Sequence, residues 1–175
     1  MVVLLLGGDW TAVVASVVKM SLEELTLKAS IIVVGKVTGK VSESTADGIK
    51  TRITVAVEES LKGDIGRTVV ITQPGGTVGK IEMVMSEAAT FEVGEEAVVF
   101  LWTRPTGEHT VLGLFQGKVP VETDAKGRKV VRLPPEKGQG PQTVRLEDFV
   151  RQIKETLKTA RTGQENTRSS VHPAR

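Results

Sequence analysis

Two consecutive stretches of strand sequence restrict what this chain can become. Residues 31–42, IIVVGKVTGKVS, open with a near-continuous β-branched run, the pattern of a strand covered on both faces. After a polar turn, IKTRITVAVEESLKGD (49–64) alternates, with Ile53, Val55 and Val57 on one face and Arg52, Thr54 and Ala56 on the other. Asp47-Gly48 between them is a hairpin signal. Such a pair begins a closed or strongly curved antiparallel sheet, not an α/β enzyme. The pattern fixes an architecture and supplies almost no chemistry.

The flanking segments extend it. Ser21 and Glu24 are spaced as a capping box, with Met20 and Leu25 placed for a hydrophobic staple. Leu22, Leu25 and Ala29 then form the inward face of a helix over 21–29. RTVVITQ (67–73) is a third strand and AVVFLW (97–102) a buried central one. HTVLGLFQGKVPVE (109–122) follows, with bends at Gly113 and Gly117, and RKVVRL (128–133) closes the β region. PPEKGQGPQ (134–142) reads as a linker. The amphipathic helix 145–159 places Leu146, Phe149, Val150, Ile153 and Leu157 on one face. The expected fold is mainly β: a small OB-like antiparallel barrel of five to six strands, with one helix entering it and one packed on its side.

A chain of 175 residues accommodates one domain, expected over 21–160. Its net charge of +2 resides in the tail 161–175, where Arg161, Arg168 and Arg175 outweigh Glu165. That tail lacks periodicity and is expected to be disordered. The body is therefore formally neutral, which argues against an electrostatic trap for nucleic acid or anionic membrane. Residues 1–20 form a leader-like apolar segment, too short and interrupted to span a bilayer. It reads either as a secretory leader cleaved after Val13-Val14-Ala15, or as a first strand, Val2–Leu6, turned by Gly7-Gly8-Asp9. The leader reading lacks a positive n-region and must accommodate Asp9.

Catalytic chemistry is sparse. The chain has no Cys and two His, His109 at an expected turn and His172 in the tail. No HExxH, paired His at ligand spacing or Cys cluster suggests a metal, and no GxSxG elbow is present. The acidic doublets Glu23-Glu24, Glu58-Glu59 and Glu95-Glu96 point apart on helix or strand, so they read as solvated charges rather than acid/base dyads. A non-enzymatic protein without cofactor or metal is expected. The best binding candidate is the 73–91 excursion, longer than sheet closure needs. Gln73, Gly75, Gly76, Thr77 and Lys80 are its site residues, because Pro74-Gly75-Gly76 exposes backbone groups beside a lysine. Its GGTVGK lacks the GxxxxGK[ST] spacing of a phosphate loop. Ile81, Met83 and Met85 share one face of residues 78–85, which could supply contacts or form a barrel strand with the Met side chains buried.

The strings SLEELTLKASIIVVGKVTGKVS, TRITVAVEESLKGD, QPGGTVG, FEVGEEAVVFL and GLFQGKV resemble a family of uncharacterised, mostly exported bacterial β-barrel proteins, over roughly 16–160. More distantly, GKV, VEESLKG and FEVGEEAVVF are similar to the netrin-module and tissue-metalloprotease-inhibitor group of OB-like domains. The first resemblance implies a β-barrel and a secreted, periplasmic or envelope location, against a cytoplasmic alternative. The inhibitors of the second group chelate the protease metal through an N-terminal cysteine, and this chain has none. The expected function is an exported or envelope-associated binding module whose partner is another protein or an envelope component. The alternative is an OB-fold nucleic-acid binder. It is disfavoured by the absent Tyr, the neutral body and a Phe100–Trp102 pair that reads as core.

Overall fold

The computed structural model describes residues 19–134 and 140–170, with side chains through residue 163. The elements in chain order are α1 (Leu22–Lys28), β1 (Ile31–Thr45), β2 (Gly48–Lys62), β3 (Thr68–Pro74), β4 (Gly76–Val78), β5 (Ile81–Met83), β6 (Glu96–Thr103), β7 (His109–Val111), β8 (Lys118–Thr123), β9 (Lys129–Leu133), β10 (Gln142–Arg145) and α2 (Leu146–Ser170). The leader or first-strand reading falls on residues 1–18, outside the described residues, as do most of the linker, 135–139, and residues 171–175.

The capping box forms as the spacing requires. Glu24 N–H donates to Ser21 Oγ at 3.1 Å, and Ser21 N–H donates to Glu24 Oε2 at 3.0 Å. The Ser21 backbone donor, joined by Lys28, holds the Glu24 carboxyl below its usual value of 4.5. The helix stops where Ala29 turns extended and the β-branched run begins. Lys62, at the end of β2, donates to the Thr26 and Leu27 carbonyls at 2.9 and 2.8 Å, tying the hairpin to the C-terminal end of α1.

β1 and β2 form a long antiparallel hairpin around the two-residue loop Ala46-Asp47. Register shifts near Ile32, Val34 and Val37 bend β1, so its first residues also pair with β6. This double pairing explains the unbroken apolar run. Ile31, Val33 and Val37 enter an inner core with Ile53, Val55, Ile71, Phe91 and Leu101. Ile32 and Val34 face the other way, into a second core with Leu25, Phe100, Phe149 and Ile153 beneath the two helices. β6 divides in the same manner: Val99 and Leu101 face the inner core, Val98 and Phe100 the helical one.

The described residues are mainly β, with ten strands and two helices. Eight strands form one sheet in the order β1-β2-β3-β7-β6-β8-β9-β10, and β4 and β5 form a separate ribbon. This differs from the expected small barrel of five to six strands. The link between β3 and β7 is one parallel pair, Ile71 with His109, so no continuous ladder closes the sheet. β8, β9 and β10 extend it sideways from β6. β10 begins at Gln142, the last residue of the expected linker, and ends at Arg145, the expected start of the helix; Gln142–Arg145 pair with β9. α2 also runs past 159 to Ser170, into the segment expected to be disordered. Adding residues to an established helix costs little once it is nucleated, and no proline intervenes before Pro173.

Candidate functional site

Alternation along β3 buries Val69 and Ile71 and leaves Gln73 last on the same inner face. The chain then bends at Pro74-Gly75-Gly76. Gly75 N–H donates to the Ile49 carbonyl at 2.8 Å, and Thr51 Oγ1 donates to the Gly75 carbonyl at 2.6 Å. Thr51 has thereby used its one proton, so Ser42 Oγ, 2.9 Å away, must donate to Thr51 Oγ1. Gly76 sits against this hydroxyl pair at φ +132. A Cβ there would lie 2.2 Å from Thr51 Oγ1 and 2.4 Å from Ser42 Oγ. The double glycine is thus required by close approach as well as by backbone angle.

β4 and β5 fold back as a ribbon around the two-residue loop Gly79-Lys80. The chain returns through residues 84–91 and drives Ala89 and Phe91 into the inner core. Lys118 fixes this return. Its Nζ lies 2.6 Å from Glu95 Oε1 and 4.7 Å from the Phe91 ring centroid, and it donates to the Thr90 carbonyl. Between the bend, the ribbon and the return segment lies a cleft of about 520 Å³.

Gln73, Gly75, Gly76 and Thr77 all line this cleft. Lys80 does not; it stands exposed at the ribbon tip. Met83 is half-buried against Gly48, while Ile81, Val84 and Met85 are exposed, Ile81 at 67% and Val84 at 74%. The segment is therefore neither a strand of the main sheet nor one with both Met side chains buried.

Gln73 is the unusual member. It is 7% exposed, yet its side chain bonds to no described residue, and neither amide atom is fully enclosed. What exposure it keeps therefore includes both Oε1 and Nε2, opening on the cleft it lines. The rim charges Lys40 and Glu92 pair at 3.3 Å.

None of the groups with displaced proton affinity lines the cleft. Burial pushes Lys62 down. The Arg128 backbone N–H, joined by its guanidinium, holds Asp124 down. Lys129 is raised by its bond to Glu96, then by Glu58. The acidic doublets behave as separate charges, but with partners: Glu58 and Glu96 share Lys129, Glu59 meets Lys154 and Glu95 meets Lys118.

His109 opens β7 opposite Thr103, with Nδ1 3.1 Å from Thr103 Oγ1. A hydroxyl does stand beside this histidine, but no carboxylate of the described residues bonds its other nitrogen, so an oriented base is not assembled. Among the described residues no cluster of three or more His, Asp or Glu could hold a metal ion. None of their helices is long and apolar enough to cross a membrane.

Two surface features were not anticipated. Trp102 is 43% exposed, because β6 carries it past the helices that cover Phe100 on the same face. Leu114 and Phe115 protrude from the β7–β8 turn, with Leu114 at φ +62, a strained angle for leucine. Phe115 borders an apolar groove of about 720 Å³ between α1, β8 and α2. The GLFQG sequence marked a bend there, but no pattern marked its apolar side chains as outward. No protein-family model and no curated protein sequence matches the chain.

Proposed function

We propose that the protein is a non-enzymatic binding module, exported or envelope-associated, that docks another protein through the 73–91 excursion. The observation that carries this reading is the nearly buried Gln73 amide, left without a protein partner at the floor of a cleft. The exposed apolar rim of Ile81, Val84 and Met85 supports it. The strand circuit β1-β2-β3-β7-β6, with β6 returning to β1, supports an OB-like description of the curled part of the sheet.

Exposed Trp102 and Phe115 are the features that favour the nucleic-acid alternative. The charges argue the other way, since Lys118, Lys129, Arg128, Lys154 and others each sit against a carboxylate.

A photo-crosslinking residue at Thr77, compared with one at exposed Lys126 in the β8–β9 turn, tests the assignment in envelope fractions. The expected result is one defined protein adduct from position 77 and none from 126. The identified protein should then bind the Thr77→Ala, Lys80→Glu variant at least about tenfold more weakly at unchanged melting temperature, a loss of about 1.4 kcal/mol. Unchanged affinity places the interface elsewhere. Salt-dependent binding of a single-stranded oligonucleotide would favour the alternative. N-terminal sequencing should find cleavage after Ala15; Met1 retained on cytosolic protein ends the export reading.

A further inference from the structure

We infer that the cleft takes an extended, uncharged stretch of polypeptide, one backbone amide pairing with the Gln73 carboxamide while an apolar side chain enters beside Met83 and Phe91. This rests on the binding-module reading and specifies its ligand. Gln73 as a residue is 7% exposed, its carboxamide bonds to no described residue, and both amide atoms keep their exposure to the cleft, so water or a ligand must serve them there. Its two amide atoms offer one acceptor and two donors into the cleft. The group that satisfies donor and acceptor together is another amide, and every peptide unit carries one.

The surrounding chemistry narrows the class. The Thr51 and Ser42 hydroxyl protons are committed, to the Gly75 carbonyl and to Thr51 Oγ1 respectively. Lys40 is paired with Glu92. Nothing at the floor is therefore prepared for an anion. A sugar would stack on an open aromatic face, but Phe91 is 1% exposed and has Lys118 over its ring. The rest of the lining sets Ile53, Ala89 and the Met83 thioether beside Thr77, Thr90 and the exposed carboxylate of Glu82, which disfavours an anionic ligand. A cavity of about 520 Å³ with one carboxamide at its floor suits a short peptide segment carrying an aliphatic residue.

The probe is acetyl-alanyl-leucyl-alanine amide, titrated at millimolar concentration into the isotope-labelled full chain. The nuclear magnetic resonance signals read are the Gln73 side-chain NH₂ and the Gly75 and Gly76 amides. The expected result is saturable shifts at these groups and intermolecular contacts from the leucyl methyls to Gln73 and Met83. Gln73→Met should weaken the probe about tenfold while the melting temperature stays equal or rises. Methyl glucoside, a sugar without an amide, and acetate should shift none of these signals.

Equal affinity for Gln73→Met, shifts centred elsewhere, or saturation by the sugar or acetate overturns the inference. Should Gln73→Met fail to fold, the wild-type contacts decide alone: their absence overturns it. If the probe fails while the Thr77 crosslink still captures its partner, the peptide ligand is wrong and the binding module stands. If both fail, both readings fall.

Discussion

Gly76→Ala tests the construction of the cleft more sharply than any core substitution. Its backbone lies at φ +132, where an L side chain is strained by about 1–3 kcal/mol. The new methyl would also lie 2.2 Å from Thr51 Oγ1 and 2.4 Å from Ser42 Oγ, so the hydroxyl pair must separate. Losing that part-buried bond adds about 1–3 kcal/mol, for a sum of about 2–6 kcal/mol. Gly79→Ala is the internal control. It has φ +61 but nothing within 4 Å of the added carbon, so it carries only the backbone term of about 1–2 kcal/mol. Urea unfolding at constant m-value reads the difference directly. Thermal melts should fall by about 5–15 °C for Gly76→Ala and about 2–6 °C for Gly79→Ala. In a Thr51→Ala background the Gly76→Ala cost should shrink, because the nearest clashing atom is gone. Equal costs for the two glycines, within about 0.5 kcal/mol, would refute the proposed hydroxyl contact.

Three further outcomes are expected. Val55→Asp should be unfolded at neutral pH, since Val55 is 1% exposed in the inner core; the lost valine burial of about 1.5–3 kcal/mol and about 4 kcal/mol to neutralise the carboxyl approach the whole stability of a domain. A folded, soluble variant by circular dichroism would overturn the facing of β2. Lys118→Met should cost about 1–3 kcal/mol in urea unfolding, because Glu95, the Thr90 carbonyl and the Phe91 ring lose their common partner; adding Glu95→Gln should recover part of it, and no recovery would dismiss the ion pair. Glu24→Gln should lower the melting temperature at neutral pH. Because the folded Glu24 carboxyl is held below 4.5, its contribution is fully present above that pH and is lost as pH falls through the lowered value, so the two proteins should converge in acid; a constant gap would deny the charged cap.

Local chemistry was legible wherever a residue's role depends on its sequence neighbours. Ser21 and Glu24 meet as a capping box, Ile53 and Val55 turn inward, and Phe149, Val150 and Ile153 form the buried stripe of α2. Gln73, Gly75, Gly76 and Thr77 reach one cleft because a glycine bend after a strand has few geometries open to it. What depended on distant partners was not legible. Gln142–Arg145 carry no strong strand pattern and become β10 by pairing with Val130 and Val131. Trp102 continues the apolar run of β6 but lies beyond the helices that cover Phe100. Adjacency groups Lys80 with the glycines, but the hairpin carries it to the tip. That Gln73 lacks a partner is a property of everything around it, and no spacing rule encodes that.

The position of the cleft follows from the two-sided burial of β1 and β6. Residues 31–34 of β1 and 97–101 of β6 are packed on both faces, so this part of the curled sheet offers binding surface chiefly where its inner face opens past Ile71. The excursion closes that end without filling it. At one side Thr51 holds the Gly75 carbonyl, and at the other Phe91 is locked by Lys118. The ribbon between them is anchored at both ends while its outer residues face solvent. Anchoring of this kind places Gln73 before any ligand arrives, which lowers the ordering cost of binding. Both Gln73 amide atoms keep some exposure, so water serves them in the free protein, and under the proposed reading a ligand amide takes that water's place.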